Sequence, residues 1–564
     1  MRRTFALLAI IIFYAPPIIA RADDPPPAGE RTSAEAKCSW GSNIGGAANL
    51  VTYNKIYPNA SEWRRENGPT GECNLGVVFL PNMLTNTFSS LTAFAAIDAN
   101  RFTPTLACRD GNDPACDPKK WAIIREQSTI YKCAKDSDLN CVLSLSATDP
   151  SGNKPSIKYL RSFPDDTVRE GFKGPIIKYP AGGNPSIWSL ATPSGEVKIL
   201  LYGLTTAAWE SHNGSWVARP GNQFQLSLVP IKEVPIPASM LGSNCIAADK
   251  ETCLMVEPSL PKGYVFNVSL NLADNVTLFL NGRLDNPIVY TERIENGHRL
   301  IIEAAPSPAL SVAQWVPKSI VPKSTIDGIF KNVGGTWFNT TFDQSNSEFR
   351  LGGEQGSVEF LNALLPYIGD KVSYEQSVWT VSNNPSSDNY NQYCRNESRG
   401  EILGIVSTNA TAYRGDPPSY NRSTSALEYE VSAPHFMPDG KTESVGRYAI
   451  NMNAKFLECI LGVSQVPSTA TVGLSYGSGE MSVTTLAVNQ DKNWLRVHLD
   501  NFHFSAPKIS IKFESVTPIQ KTESNSPIKI VKILSKTISC KKGKTVKKIT
   551  SVKPVCPVGY TLVK

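Results

Sequence analysis

Residues 264–280 read Tyr-Val-Phe-Asn-Val-Ser-Leu-Asn-Leu-Ala-Asp-Asn-Val-Thr-Leu-Phe-Leu, and their period decides the fold class. Phe266, Val268, Leu270 and Leu272 occupy every second position, with Asn267, Ser269 and Asn271 between them. Side chains of a strand point alternately to its two faces, so this spacing predicts a half-buried strand with water on the Asn/Ser side. After a turn at Ala273-Asp274 the alternation resumes with Val276, Leu278 and Leu280, and the two runs together read as a β-hairpin. The signature recurs late in the chain. Leu495, Val497 and Leu499 alternate with Arg496 and His498, and Ile509, Ile511 and Phe513 with Ser510 and Lys512. Long amphipathic helical stretches are nearly absent. The fold class expected is mainly β, with two or more disulfide-stapled antiparallel β-sandwich-like regions and a short basic carboxy-terminal hairpin.

One short helix is predicted. Leu361, Leu364, Leu365 and Ile368 follow the i, i+3, i+4, i+7 spacing of an apolar stripe, Ser357 precedes them as N-cap, and Pro366 ends or kinks the run. Residues 304–325 are rich in Pro, Ser, Ala and Lys, with Pro306, Pro308, Pro317 and Pro322, and read as a linker. The expected organisation is a signal peptide over 1–22, a disulfide-rich β region over 23–303, the linker over 304–325, a second β region over 326–516 and a basic tail over 517–564.

The amino-terminal reading rests on Arg2 and Arg3 before an apolar run from Phe5 to Ala20, followed by Ala20-Arg21-Ala22 as a small-x-small cleavage site. Pro16 and Pro17 make the run a poor permanent span, so it reads as a removable signal peptide. No later stretch holds the roughly 18 consecutive apolar residues that a membrane-spanning helix needs. The location expected is secreted, extracellular or at the envelope surface.

Cysteine usage agrees with an oxidising compartment. The chain holds Cys38, Cys73, Cys108, Cys116, Cys133, Cys141, Cys245, Cys253, Cys394, Cys459, Cys540 and Cys556, an even set with no C-x-x-C. Cys108/Cys116, Cys133/Cys141 and Cys245/Cys253 are each eight apart, the span of a bridge clamping a hairpin or surface loop. Pairing in chain order is the simplest connectivity, though spacing alone leaves others open.

Charge is distributed unevenly. Residues 23–520 carry a formal −7 and the last 44 residues +10. A mildly acidic body with a basic tail is an address or an adhesive, not a nucleic-acid-binding surface. Lys541, Lys542, Lys544, Lys547, Lys548 and Lys553 are the envelope-binding residues expected, presented on a hairpin or loop closed by Cys540 and Cys556, with Gly543 at the turn.

Two segments resemble uncharacterised secreted proteins of actinobacteria. The first runs from Gly446 to Phe513 and includes Gly446-Arg447-Tyr448-Ala449-Ile450, Leu457-Glu458-Cys459-Ile460-Leu461-Gly462 and Asn501-Phe502-His503-Phe504-Ser505-Ala506-Pro507. The second is the tail, Ile538-Ser539-Cys540-Lys541-Lys542-Gly543-Lys544 and then Val552-Lys553-Pro554-Val555-Cys556-Pro557-Val558-Gly559-Tyr560. The resemblance implies an envelope or extracellular location and transfers no catalytic residue.

Sequence motifs that could carry chemistry each meet a plainer reading. Gly473-Leu474-Ser475-Tyr476-Gly477 matches G-x-S-x-G, but a nucleophile elbow needs strand, sharp turn and helix. Here alternation continues through Ser475, and Gly477-Ser478-Gly479 turns into another strand from Met481. Ser387-Asp388-Asn389 and Ser259-Leu260-Pro261-Lys262 mimic two penicillin-binding elements, yet K-T-G is missing and Pro258 and Pro261 bracket the serine that should open a helix. His212, His298, His435, His498 and His503 are scattered, without H-E-x-x-H. Asp110, Asn112, Asp113 and Asp117 crowd the Cys108/Cys116 loop, where oxygen donors could hold calcium or form a solvated turn. Trp209 and Trp216, near Glu210, His212 and Asn213, could stack on sugars or pack in a core. Eight N-x-S/T sequons include Asn267, Asn275 and Asn409.

The function expected is therefore a non-catalytic secreted or envelope-associated structural or adhesive protein, held by its basic tail to anionic cell-wall polymers or surface glycans. No catalytic residue, cofactor or metal is assigned. The alternative is an extracellular carbohydrate-binding or carbohydrate-cleaving β-sandwich, since a carboxylate pair assembled from distant strands leaves no motif.

Overall fold

The two runs of residues 264–280 lie in strands, but they do not form a hairpin with each other. In the computed structural model, Val265–Ala273 and Leu278–Ile294 flank a third strand, Gly297–Pro317, which pairs antiparallel with both. The tight hairpin is one strand further on. Ile294 faces Gly297 across a two-residue turn at Glu295-Asn296, where Asn296 takes φ 58°, a left-handed conformation that asparagine tolerates. The structure describes residues 74–81, 92–96, 106–107, most of 117–317, 320–322, 324–325, 358–383, 394, most of 402–513 and parts of 536–563. The signal-peptide expectation falls outside them.

Strands of the body include, in chain order, β1 (Asn74–Phe79), β2 (Cys141–Thr148), β3 (Gly195–His212), β4 (Ser215–Ala218), β5 (Phe224–Pro235), β6 (Val265–Ala273), β7 (Leu278–Ile294), β8 (Gly297–Pro317) and β9 (Tyr374–Ser382). They continue with β10 (Ile402–Thr408), β11 (Ala426–Ser432), β12 (Val445–Asn453), β13 (Thr469–Ser475), β14 (Met481–Ala487), β15 (Trp494–His503) and β16 (Lys508–Phe513). The mainly β class holds.

The water face expected on β6 is covered. Asn271 is 0 % exposed and Ser269 is buried, while Asn267 stays half-exposed. The cover is the loop closed by the Cys133–Cys141 disulfide. Asn271 Nδ2 donates to the carbonyls of Asp136 (2.8 Å) and Asp138 (3.1 Å), its Oδ1 accepts from Arg299 Nε (3.2 Å), and Asn140 Oδ1 accepts from the Ala273 N–H. A polar residue can thus sit inside because the loop's carbonyls satisfy it.

The linker expected over residues 304–325 is not one. Residues 304–317 are the second half of β8, a 21-residue strand. Its prolines fall where it changes partners: Pro306 faces Leu284 in the last pair with β7, and Pro308 faces Ser377 once β9 has taken over. A residue with no N–H is tolerated at such a break in the ladder. Beyond it, β8 pairs with β1. The two β regions expected on either side are also joined by hydrogen bonds, for β9 pairs with β5, β7 and β8, and β10 runs parallel to β7.

Two cores result. One lies between the β2–β6–β8–β7 layer and a layer including β3, β5, β9 and β10, and contains Leu145, Val268, Leu270, Ile302, Leu201, Leu226 and Trp379. The other lies between the β10–β12–β15 layer and the β11–β16–β13–β14 sheet, and contains Ile450, Val497, Leu499, Tyr429, Val472, Ile509, Ile511 and Phe513. Strand β10 belongs to both: Ile402 and Ile405 enter the first, Leu403 and Val406 the second. A strand covered on two faces reads as a continuous apolar run, which Ile-Leu-Gly-Ile-Val is. Gly404 fits there because a Cβ would stand 2.6 Å from Phe279 Cε2 and 2.9 Å from the Asn451 carbonyl oxygen.

The predicted helix is α1 (Val358–Leu364), continued by a 3₁₀ turn over Leu365–Ile368 that carries Pro366 near its start. It packs Leu361, Leu364 and Ile368 against Val77, Phe79 and Val312. A second helix, α2 (Ala454–Leu461), has Asn453 as N-cap, its side chain accepting from the N–H groups of Lys455 and Phe456, and ends at left-handed Gly462. Cys459 on α2 is bonded to Cys394.

Candidate functional site

Contacts divide the chain after Thr517, and the basic tail is a unit of its own. Its strands are β17 (Lys536–Lys542), β18 (Thr545–Ser551) and β19 (Thr561–Val563), with β17 in the middle and both neighbours antiparallel to it. Lys542 faces Thr545, the hairpin expected around Gly543, and β19 adds a third strand that the hairpin reading lacks. Cys556 is disulfide-bonded. Lys541 and Lys542 stand in β17 and Lys547 and Lys548 in β18, while Lys544 and Lys553 lie outside the described residues. In the register Lys541 pairs with Val546, Lys542 with Thr545, Lys547 with Cys540 and Lys548 with Ser539.

Among the other cysteines, Cys133–Cys141 and Cys394–Cys459 are the pairs expected from chain order, and Cys253 is also disulfide-bonded. No cysteine among the described residues is free. Cys38, Cys73, Cys108, Cys116 and Cys245 lie outside them.

The catalytic look-alikes resolve into strands. Ser475 ends β13, which is followed by antiparallel β14 with Ser475 opposite Met481, so no helix follows the serine. Ser259 precedes a turn and opens no helix, and Ser387-Asp388-Asn389 lies outside the described residues. Trp216 is 2 % exposed on β4 and offers no platform to a sugar. Asp117 Oδ1 accepts from the Lys119 N–H, and Asp110 and Asp113 are not described. The Asn409 sequon is buried, with Nδ2 bonded to the Val445 carbonyl. Among the described residues no group of three or more His, Cys, Asp or Glu could hold a metal ion, and no helix is long and apolar enough to cross a membrane.

One constellation escaped the sequence reading. Asp285 on β7, Arg447 on β12, and His498 and Asp500 on β15 meet at one rim of the body. Arg447 Nη1 forms an ion pair with Asp285 Oδ2, and His498 Nε2 lies 2.6 Å from Asp500 Oδ2. The backbone N–H of Arg447 donates to Asn409 Oδ1 (2.8 Å), which fixes the turn-in of β12. Both aspartates immediately precede a left-handed asparagine. Asn286 has φ 47° at the bulge within the β7–β8 pairing, and Asn501 has φ 58° at the bulge between β12 and β15. Bulges re-aim side chains out of the regular pleat, and these two turn the carboxylates toward Arg447 and His498. Burial pushes the Asp285 carboxyl above its ordinary range; Arg447 and His498 pull it down and Asp500 raises it further. The result is a half-exposed set of two carboxylates, a guanidinium and an imidazole, able to accept from and donate to a hydroxylated ligand. No local pattern could have announced it beyond the two Asp-Asn pairs, since the residues span three strands.

No family model and no curated protein sequence matches the chain.

Proposed function

We propose that this chain is a non-catalytic secreted protein of the cell envelope, structural or adhesive, held to anionic envelope components by its carboxy-terminal unit. The observation that carries the reading is the tail itself: a separate three-stranded sheet with a disulfide-bonded Cys556, in a stretch of 44 residues with a formal charge of +10. A unit of so few residues can bury little apolar surface on its own, and disulfides commonly add the constraint that burial cannot. The signal-like amino terminus, the paired cysteines and the tail's resemblance to secreted actinobacterial proteins support the extracellular location. Electrostatic attachment weakens as salt screens it. The experiment compares full-length protein with a version ending at Gln520 on isolated envelopes at low and high salt. Full-length protein should be retained at low salt and released at high salt, and the truncated form should wash off throughout. Equal retention of the two forms would overturn the reading.

A second reading, carbohydrate binding or cleavage by the body, is favoured by one observation: Asp285, whose carboxyl burial raises, and Asp500, which lies beside His498, converge from distant strands. A pair of carboxylates gathered from distant strands is what such chemistry requires. Glycan-array binding and reducing-sugar release by the wild type and by Asp285→Asn and Asp500→Asn test it. Activity indifferent to both changes would remove this reading.

A further inference from the structure

Resting on the envelope-anchoring reading, we propose that one face of the carboxy-terminal sheet is an interfacial surface for anionic lipid. The register places Val546, Lys541 and Thr561 in one row across β18, β17 and β19, with Lys548, Ser539 and Val563 in the next row of the same parity. Val546 is 54 % exposed and Val563 43 %, and Lys541 and Thr561 beside them are exposed as well. This face therefore offers water two branched apolar side chains around a cation, in the most basic stretch of the protein. A hydrated anionic polymer would satisfy Lys541 and leave the valines in water. The boundary between lipid head groups and acyl chains accommodates both, with anionic head groups taking the charge and the upper acyl region covering the valines. Neither signal suffices alone, because reversible membrane attachment becomes firm only when apolar insertion and basic charge act together.

Each basic residue near an anionic leaflet strengthens partitioning about fivefold. Covering the two valines should add about tenfold. The test is co-sedimentation of the full-length protein with phosphatidylcholine vesicles, with vesicles containing phosphatidylglycerol, and with purified anionic wall polymer. Binding is expected to phosphatidylglycerol vesicles, weakened about tenfold by Val546→Ser with Val563→Ser, about fivefold by Lys541→Gln, and not at all by Val546→Ile with Val563→Ile. The isoleucine variant keeps the test decisive should the serine variant disturb the sheet. Binding equal on neutral and anionic vesicles, serine variants as tight as wild type, or isoleucine variants weaker than wild type would overturn the proposal. Capture by wall polymer with no vesicle binding would overturn it while leaving the anchoring reading intact. Envelope retention independent of the tail would defeat both.

Discussion

Replacing Asn271 with leucine separates two descriptions of strand β6. By alternation Asn271 faces water, and the change would cost no more than the 0.5 kcal/mol or so typical of surface positions. In the structure Asn271 is 0 % exposed and makes three hydrogen bonds, donating to the Asp136 and Asp138 carbonyls and accepting from Arg299. Each such bond contributes about 1 kcal/mol net, and a partner left buried without one costs about 1–3 kcal/mol. Asp136 is exposed and Asp138 partly so, and their carbonyls can regain water if the loop lifts. The expected loss is therefore about 2–3 kcal/mol, not the full sum. Leucine keeps the branched skeleton of asparagine but is larger, so no cavity is left and any overpacking adds to the loss. Urea unfolding followed by tryptophan fluorescence gives the difference from the shift of the midpoint and the slope. Asn267→Ala is the internal control, for Asn267 is half-exposed and bonds Glu303 at 3.0 Å, and its loss should cost under about 1 kcal/mol. A cost for Asn271→Leu below about 0.5 kcal/mol would refute the covering role of the disulfide loop.

Three further outcomes follow from the same structure. Gly404→Ala should destabilise by about 2–3 kcal/mol in the same assay, because the new Cβ meets a backbone carbonyl 2.9 Å away that cannot move aside; a neutral result would contradict the close approach of β10 to β7 and β12. Removing the Cys394–Cys459 bridge by a double serine substitution should cost about 4 kcal/mol, since its partners are 65 residues apart, and reduction of the wild type should lower the urea midpoint while leaving the double variant's unaffected by this bond. Asp439 accepts from Thr442 Oγ1 and from the N–H groups of Lys441 and Thr442, which lowers its carboxyl from 3.8 to about 2. A carboxyl lowered on folding contributes stability above the unfolded value and loses it as pH falls through the folded one. Carbon-13 NMR should therefore find Asp439 ionised at pH 3, and Asp439→Asn should flatten the acid limb of stability between about 4 and 2; a wild-type carboxyl titrating near 4 would count against the turn geometry.

What was legible in the sequence tracks how locally each element is determined. Strands β15 and β16 turn one face into a core, and their alternation from Leu495 to Leu499 and from Ile509 to Phe513 appears as buried positions alternating with less buried ones in register. Helix α1 follows its stripe, but α2 was missed although Asn453, the pairs Phe456-Leu457 and Ile460-Leu461, and Gly462 carry cap, face and stop. Its eight residues sit between strands, too short for periodicity to stand out. The linker error has a different origin. Proline-rich composition reports the lack of N–H donors, and that lack is compatible with a connector or with a long strand at the point where it changes partners. Composition cannot distinguish the two, whereas the register of β8 does.

The rim cluster shows why the candidate site was the least legible part. A strand brings chemistry to a neighbour only through its register, and register depends on partners far away in sequence. Asp285 reaches Arg447 across strands whose order is set by the parallel pairing of β7 with β10 and the antiparallel pairing of β10 with β12. The local trace of this arrangement is small but specific. Asp285-Asn286 and Asp500-Asn501 each interrupt an apolar alternation with an acid followed by the residue that best tolerates a left-handed backbone. Such a pair inside a strand pattern marks a bulge, and a bulge is where a side chain can leave the pleat. In a β protein, an Asp-Asn step that breaks the alternation therefore deserves the scrutiny usually given to G-x-S-x-G, because it locates where side chains leave the pleat even when it cannot name their partners.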